Sequence, residues 1–168
     1  MTDKEIFCPY HLAKRLKDIG INHPSRFYYI EKWKNPRMEL LENGEMVIAD
    51  QQRHAYKLKA ESRQAEIDFI PAYMACELGN MLPKFLSYTK YDDTRTDNMY
   101  LEQSFPNETT SDYECSYRGC PIDDWEKVYS GIGDSEAESR ANLLISLIES
   151  GEININNVNI KQVEEGAL

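Results

Sequence analysis

Long hydrophobic runs are missing from this sequence of 168 residues, and none approaches the ~20 apolar residues that crossing a bilayer requires. The opening residues, Met1 to Cys8, lack the basic start and apolar stretch of a secretory signal. An intracellular, cytoplasmic setting is therefore expected. In a reducing compartment, Cys8, Cys76, Cys115 and Cys120 are expected to be free thiols. The glycines are scattered as turn and cap residues, with no phosphate-cradling loop and no dinucleotide-binding cluster. A nucleophile elbow and a His-Glu-x-x-His pair are also absent. There is no internal repeat and no low-complexity segment. The expectation is a non-catalytic protein without a cofactor.

Charge of one sign is scarce in the second half. Residues 1–90 carry 14 Lys and Arg against 12 Asp and Glu, whereas residues 91–168 carry 5 against 17. Phosphate binding needs clustered Lys and Arg, so the second half argues against bare nucleic acid as its partner. An acidic half of this kind serves as a solvated surface or as a face that docks on a basic protein surface. The clustered carboxylates Asp92, Asp93, Asp97, Asp123 and Asp124 are the candidate partner-binding residues. All fall in predicted turns, where Asp is also favoured for bonding the local backbone.

The length suits a single domain spanning 1–168, long enough to bury a core. Pro9 to Ile19 reads as a helix with Leu12, Leu16 and Ile19 on one face and Gly20 as its stop. Arg26 to Trp33 is aromatic-rich and reads as a strand. Met38 to Asp50 reads as two extended pieces around Asn43-Gly44, a hairpin signal. Residues 51–66 are polar and basic, and fit either a mobile or inserted segment or an exposed helix. Ile70 to Leu82 reads as a second helix with Pro71 in its first turn. Four strands follow, at Lys84 to Lys90, Met99 to Phe105, Asp112 to Tyr117 and Trp125 to Gly131, and their spacing predicts an antiparallel meander. The expected fold is α+β: an antiparallel sheet of about five strands packed by two or three helices, one of them a C-terminal amphipathic helix. After Asn154 one more edge strand is expected, before a frayed end at 161–168.

The C-terminal helix is the best-punctuated element. Ser135 suits the N-cap, Glu138 can close a capping box, and Glu136 with Glu138 places negative charge in the first turn. Ala137, Ala141, Leu144, Ile145 and Ile148 fall on one face, and Gly151 stands where a left-handed residue ends a helix. Such a helix packs on a core, or lies in a partner's groove.

Other constellations carry chemistry only weakly. Cys8 and His11 with Cys115 and Cys120 supply the ligand types of a zinc site, but at loose spacings without knuckle composition. A strand-end cysteine pair and a helix-start cysteine account for the same residues. Cys76 lies among apolar neighbours and reads as a core residue. His11, His23 and His54 fall on a helix, in a turn and in the polar stretch, with no partner in sequence. Arg26 to Lys34 interleaves aromatic and basic residues, which suits either base stacking or a strand burying alternate aromatics.

Three blocks together resemble a family of small proteins encoded by tailed phages and prophages. They are Leu12 to Ile21 followed by Phe27-Tyr28-Tyr29, Ile70 to Pro83, and Glu136 to Glu149. Cys76 and Ser139 interrupt blocks that are usually plainer, and Gln51 to Glu66 stands as an insertion. The family has no assigned activity, so the resemblance implies no catalytic residues. It implies an accessory protein inside a bacterial host cell. The expected function is binding of a host or phage protein, as by an inhibitor that sets its acidic face on the basic groove of a defence factor. The alternatives are a nucleotide or small-ligand binder or enzyme, and a structural or assembly protein of the virion.

Overall fold

The computed structural model describes residues 6–34, 47–62, 66–89, 96–106, 111–119 and 127–159. Its elements run α1 (Tyr10–Asp18), β1 (Phe27–Lys34), β2 (Val47–Ala49), α2 (Asp50–Ser62), β3 (Glu66–Pro71), α3 (Ala75–Met81), β4 (Phe85–Thr89), β5 (Thr96–Ser104), β6 (Tyr113–Gly119), β7 (Lys127–Gly133) and α4 (Glu136–Glu149). A short helical turn over 155–159 follows. The fold is α+β and antiparallel throughout, but the strands form two sheets rather than one of five. One has the order β2-β1-β3 and the other is the meander β4-β5-β6-β7. No helix among the described residues is long and apolar enough to cross a membrane.

The second sheet exists because Ile70 and Pro71 end a strand instead of starting a helix. Tyr29 pairs with Ile70 and Ile30 with Phe69. Pro71 sits at the end of an edge strand, where its missing N–H breaks no ladder. The helix begins only at Ala75, where the Glu77 carboxylate accepts from Met74 N–H at 2.9 Å. The same carboxylate accepts from Arg26 N–H at 2.9 Å and lies 2.9 Å from the Ser25 hydroxyl. One acidic side chain thus caps α3 and holds the entry to β1.

Strand β1 alternates between two cores. Tyr29 faces the larger one, with Leu12 and Leu16 of α1, Ile70, Leu78, Tyr117 and the inner side of α4. Tyr28 and Ile30 face a smaller one with Ile48 and Phe69. The described aromatics of the Arg26 to Lys34 stretch are therefore buried or half-buried. Residues 50–62 form a helix that exposes most of its side chains and buries Ala60.

Two helices end in the same way. Gly20 has φ +96° and Gly151 has φ +79°. Gly20 N–H bonds Lys17 O at 2.9 Å and Ile21 N–H bonds Leu16 O at 2.9 Å, while Gly151 N–H bonds Ile148 O at 3.1 Å and Glu152 N–H bonds Leu147 O at 3.0 Å. Both are Schellman stops. At the front of α4 the Ser135 hydroxyl accepts from Glu138 N–H at 3.1 Å, and Glu138 reaches back to Asp134 N–H, one residue before the N-cap.

Helix α4 is buried more widely than one stripe. Ser139, Leu143 and Leu147 join Ala137, Ala141, Leu144 and Ile145 in the core, while Ile148 is only half-buried. The extra stripe lies over β7, where Gly131 and Gly133 let the helix backbone come down on the strand: a Cβ on Gly131 would meet Ser139 O and the Leu143 backbone. The edge strand expected after Asn154 is instead a helical turn. Asn154 Oδ1 accepts from Asn156 N–H at 2.9 Å, and Ile155 and Val158, three residues apart, pack on the core. Asn159 ties that turn to the end of α1, accepting from Asn22 N–H at 3.1 Å and donating to Gly20 O at 3.1 Å.

Candidate interaction surface

The meander has one face under α4 and one that carries exposed aromatic and aliphatic side chains. Met99, Cys115, Tyr117 and Gly131 lie on the α4 side and are buried. Their sequence neighbours point the other way by strand alternation. On that outer face Phe85, Tyr100 and Ile132 are each more than half exposed, at 53%, 57% and 55%. Phe85 and Tyr100 are direct cross-strand partners, and Tyr100 faces Arg118 on its other side. The row Phe85–Tyr100–Arg118 therefore runs across three strands.

Beside that row, Arg118 Nε lies 3.2 Å from Glu102 Oε2. Ser116 sits opposite Glu102 on one side and Ser130 on the other. It is fully buried, and its hydroxyl has no hydrogen-bond partner among the described residues. At the end of β5, Phe105 is 58% exposed and its ring meets that of Tyr113 edge-on at 6.0 Å. The arrangement offers two adjacent aromatic rings and an arginine paired with Glu102, at a place where the β6–β7 register shifts between Tyr117 and Arg118 and where Ser116 Oγ and Arg118 Nε are buried. Exposed aromatic side chains beside an arginine are the composition of a surface that contacts another macromolecule.

The side chains singled out from sequence lie elsewhere or outside the description. Asp97 belongs to β5 and pairs with Tyr88, so it is a strand residue and not a turn residue. Asp92, Asp93, Asp123, Asp124 and Cys120 lie outside the described residues, as does the hairpin signal at Asn43-Gly44. Cys8 is fully buried while His11, on α1, is exposed. Among the described residues no group of three or more His, Cys, Asp or Glu side chains could hold a metal ion. Burial pushes the Cys8 thiol up to about 12 and the Cys115 thiol up to about 11, the latter against the pull of the nearby Arg140. Both are held protonated, which makes them poor ligands and poor nucleophiles. Cys76, expected in the core, is exposed. It stands two residues before Leu78 on a helix whose buried face is set by Leu78 and Met81, and i, i+2 positions do not share a face.

Sequence reading missed the exposed row because Phe85, Tyr100 and Ile132 look like ordinary strand residues. Only the pairing register and the position of α4 reveal that their side of the sheet is the outer one. A signal was present in the alternation of Met99, Tyr100, Leu101 and Glu102, which puts one large aromatic on the polar side.

No family model, no curated protein and no solved structure matches this chain.

Proposed function

We propose that this protein acts without catalysis, by binding a macromolecular partner on the outer face of its four-stranded sheet. The observation that carries the reading is the exposed cross-strand pair Phe85 and Tyr100, flanked by Arg118. Aromatic and arginine side chains are the usual anchors of protein interfaces, and neighbouring exposed aromatics on a sheet face make a patch that water covers at a cost. Strands β5 to β7 belong to the half of the sequence with 5 Lys and Arg against 17 Asp and Glu. A partner with a basic surface fits that balance, with the field steering the encounter and the aromatics supplying the lasting contacts. The resemblance to phage and prophage proteins supports a partner in a bacterial host, with inhibition of a host factor as the specific form of the proposal.

The test is affinity capture from a bacterial lysate with the native chain and with a Phe85→Ser, Tyr100→Ser double variant, each shown by circular dichroism to be folded. A partner retained by the native chain should be lost from the variant and should elute early in a salt gradient. Retention that ignores both the substitutions and salt would reject the sheet face and the electrostatic mechanism together.

A further inference from the structure

A separate concave site lies where α1, α2 and the three-stranded sheet meet. It is a cleft of about 290 Å³. Lys17 from α1, His23 from the connection that follows it and Arg53 from α2 reach it from three different elements, and Tyr28, Phe69 and Pro71 form apolar walls. Among its described lining residues there are three basic side chains and no acidic one, in a chain whose net charge is −10.

The basic groups are positioned rather than loose. The Arg53 guanidinium stacks on the Tyr28 ring at 4.2 Å from the centroid, and its Nε lies 3.0 Å from Asp50 Oδ1. Lys17 Nζ bonds Asp68 and approaches Phe69 O at 3.5 Å. Both ion pairs are partly solvent-exposed, with carboxylates 51% and 62% accessible, so each holds its cation weakly. An incoming oxyanion can exchange with either carboxylate at little net cost, and a guanidinium with five N–H donors can keep Asp50 while serving a second acceptor. His23 is 6% exposed, and its Nδ1 lies 3.2 Å from Pro24 O. A carbonyl only accepts, so Nδ1 carries the hydrogen and Nε2 is the acceptor side of the ring, which suits the P–OH of a singly protonated phosphate.

We propose that this cleft binds a small phosphomonoester, with the phosphate among Lys17, His23 and Arg53 and the organic part against Tyr28, Phe69 and Pro71. Two permanent cations and an imidazole acceptor match a phosphate, with three outward oxygens and a P–OH to donate, better than they match a carboxylate. The volume falls at the small end of ligand sites, which suits a small ligand such as a sugar phosphate. This site is independent of the sheet face and stands or falls separately from it.

The test is isothermal titration calorimetry at low ionic strength with ribose 5-phosphate, inorganic phosphate, ribose and malonate. It is run on the native chain and on Arg53→Gln, Lys17→Gln and Arg15→Gln, the last removing a cation that pairs with Glu149 outside the cleft. Ribose 5-phosphate or inorganic phosphate should bind saturably, Arg53→Gln and Lys17→Gln should each weaken it about tenfold or more, and Arg15→Gln should leave it unchanged. Amide chemical shifts on titration should move at residues 22–28 in the native chain. No saturation by either phosphate at millimolar concentration would overturn the proposal. So would malonate binding as tightly as the phosphates, or an equal loss in Arg15→Gln.

Discussion

Gly131 of β7 lies directly beneath Leu143 of α4: a Cβ on the glycine would come within 2.9 Å of the Leu143 Cα and closer still to backbone atoms of Ser139 and Leu143. Neither side of this contact is a flexible side chain, so any atom added there must lift the helix or bend the strand. Gly131→Ala should therefore destabilise the fold by about 2–3 kcal/mol. Gly151→Ala is the matched control, because open space surrounds that position and only its φ of +79° resists a side chain. It should cost about 1 kcal/mol. Urea denaturation of the two variants gives the difference, and equal losses would mean that α4 does not rest on the strand as described.

Arg140 joins three elements. Its Nη1 donates to Ala75 O at 2.7 Å, its Nε to Gln103 Oε1 at 3.2 Å, and its Nη2 pairs with Glu136 at 2.5 Å. Arg140→Met keeps the bulk but removes the bonds to Ala75 O and Gln103 Oε1 and the ion pair with Glu136, so a loss of about 2–3 kcal/mol is expected. Arg140→Lys should recover only part of it, since an ammonium presents its three donors from one nitrogen and cannot reach acceptors spaced to the three nitrogens of a guanidinium. Thermal denaturation of both variants would show the ranking, and full recovery by lysine would argue that charge alone matters there.

Ser116 makes the opposite case. Its buried hydroxyl has no partner among the described residues, and an unsatisfied buried hydroxyl opposes folding. Ser116→Ala should be neutral or stabilising, by up to about 1 kcal/mol. A loss of stability would show that the hydroxyl is bonded in solution.

Stability should fall on the alkaline side. Burial raises the Cys8 thiol from its ordinary 9.0 to about 12 and the Cys115 thiol from 9.0 to about 11, and it raises the Tyr73 and Tyr117 phenols as well. The folded chain then holds protons that the unfolded chain releases, so the slope of unfolding free energy with pH is negative. The stabilisation is complete below the ordinary thiol value and is lost progressively as pH rises from about 9 through the folded values. Urea midpoints measured between neutral and alkaline pH should decline along that course. A Cys8→Ala, Cys115→Ala double variant should show a shallower decline, and an unchanged slope would exonerate the thiols.

The same burial sorts the thiols by reactivity. Cys76 is exposed, while Cys8 and Cys115 are buried. Labelling of the native protein with a thiol reagent, read by peptide mass spectrometry, should modify Cys76 promptly and reach Cys8 and Cys115 only on unfolding. Fast labelling of Cys115 would indicate that β6 opens in the native state.

Much of the fold could be read from local chemistry. The Ser135 cap and the Gly20 and Gly151 stops are decided within a few residues of chain and took the expected form, although Glu138 reaches one residue further back than the expected capping box requires. The meander followed from short apolar runs divided by turn residues. What escaped was decided by residues distant in sequence. Pro71 looked like a helix start because nothing nearby says that Ile70 will face Tyr29 across a sheet. Cys76 looked apolar-flanked because the buried face of so short a helix is set by what lies beneath it. The second stripe on α4 depends on two glycines in a strand before it, and a helical wheel carries no trace of them. The exposed Phe85–Tyr100 row and the basic cleft were illegible for the same reason, since each is assembled by register and by the junction of three elements.

Strand β1 is the middle member of its sheet and has occupied ground on both sides, with Tyr29 in one apolar cluster and Tyr28 and Ile30 in the other. Solvent can reach its amides only if both clusters part at once. In deuterium oxide the hydrogens along 28–30 should be among the slowest to exchange, at a rate set by loss of the whole structure rather than by the loosening of either half.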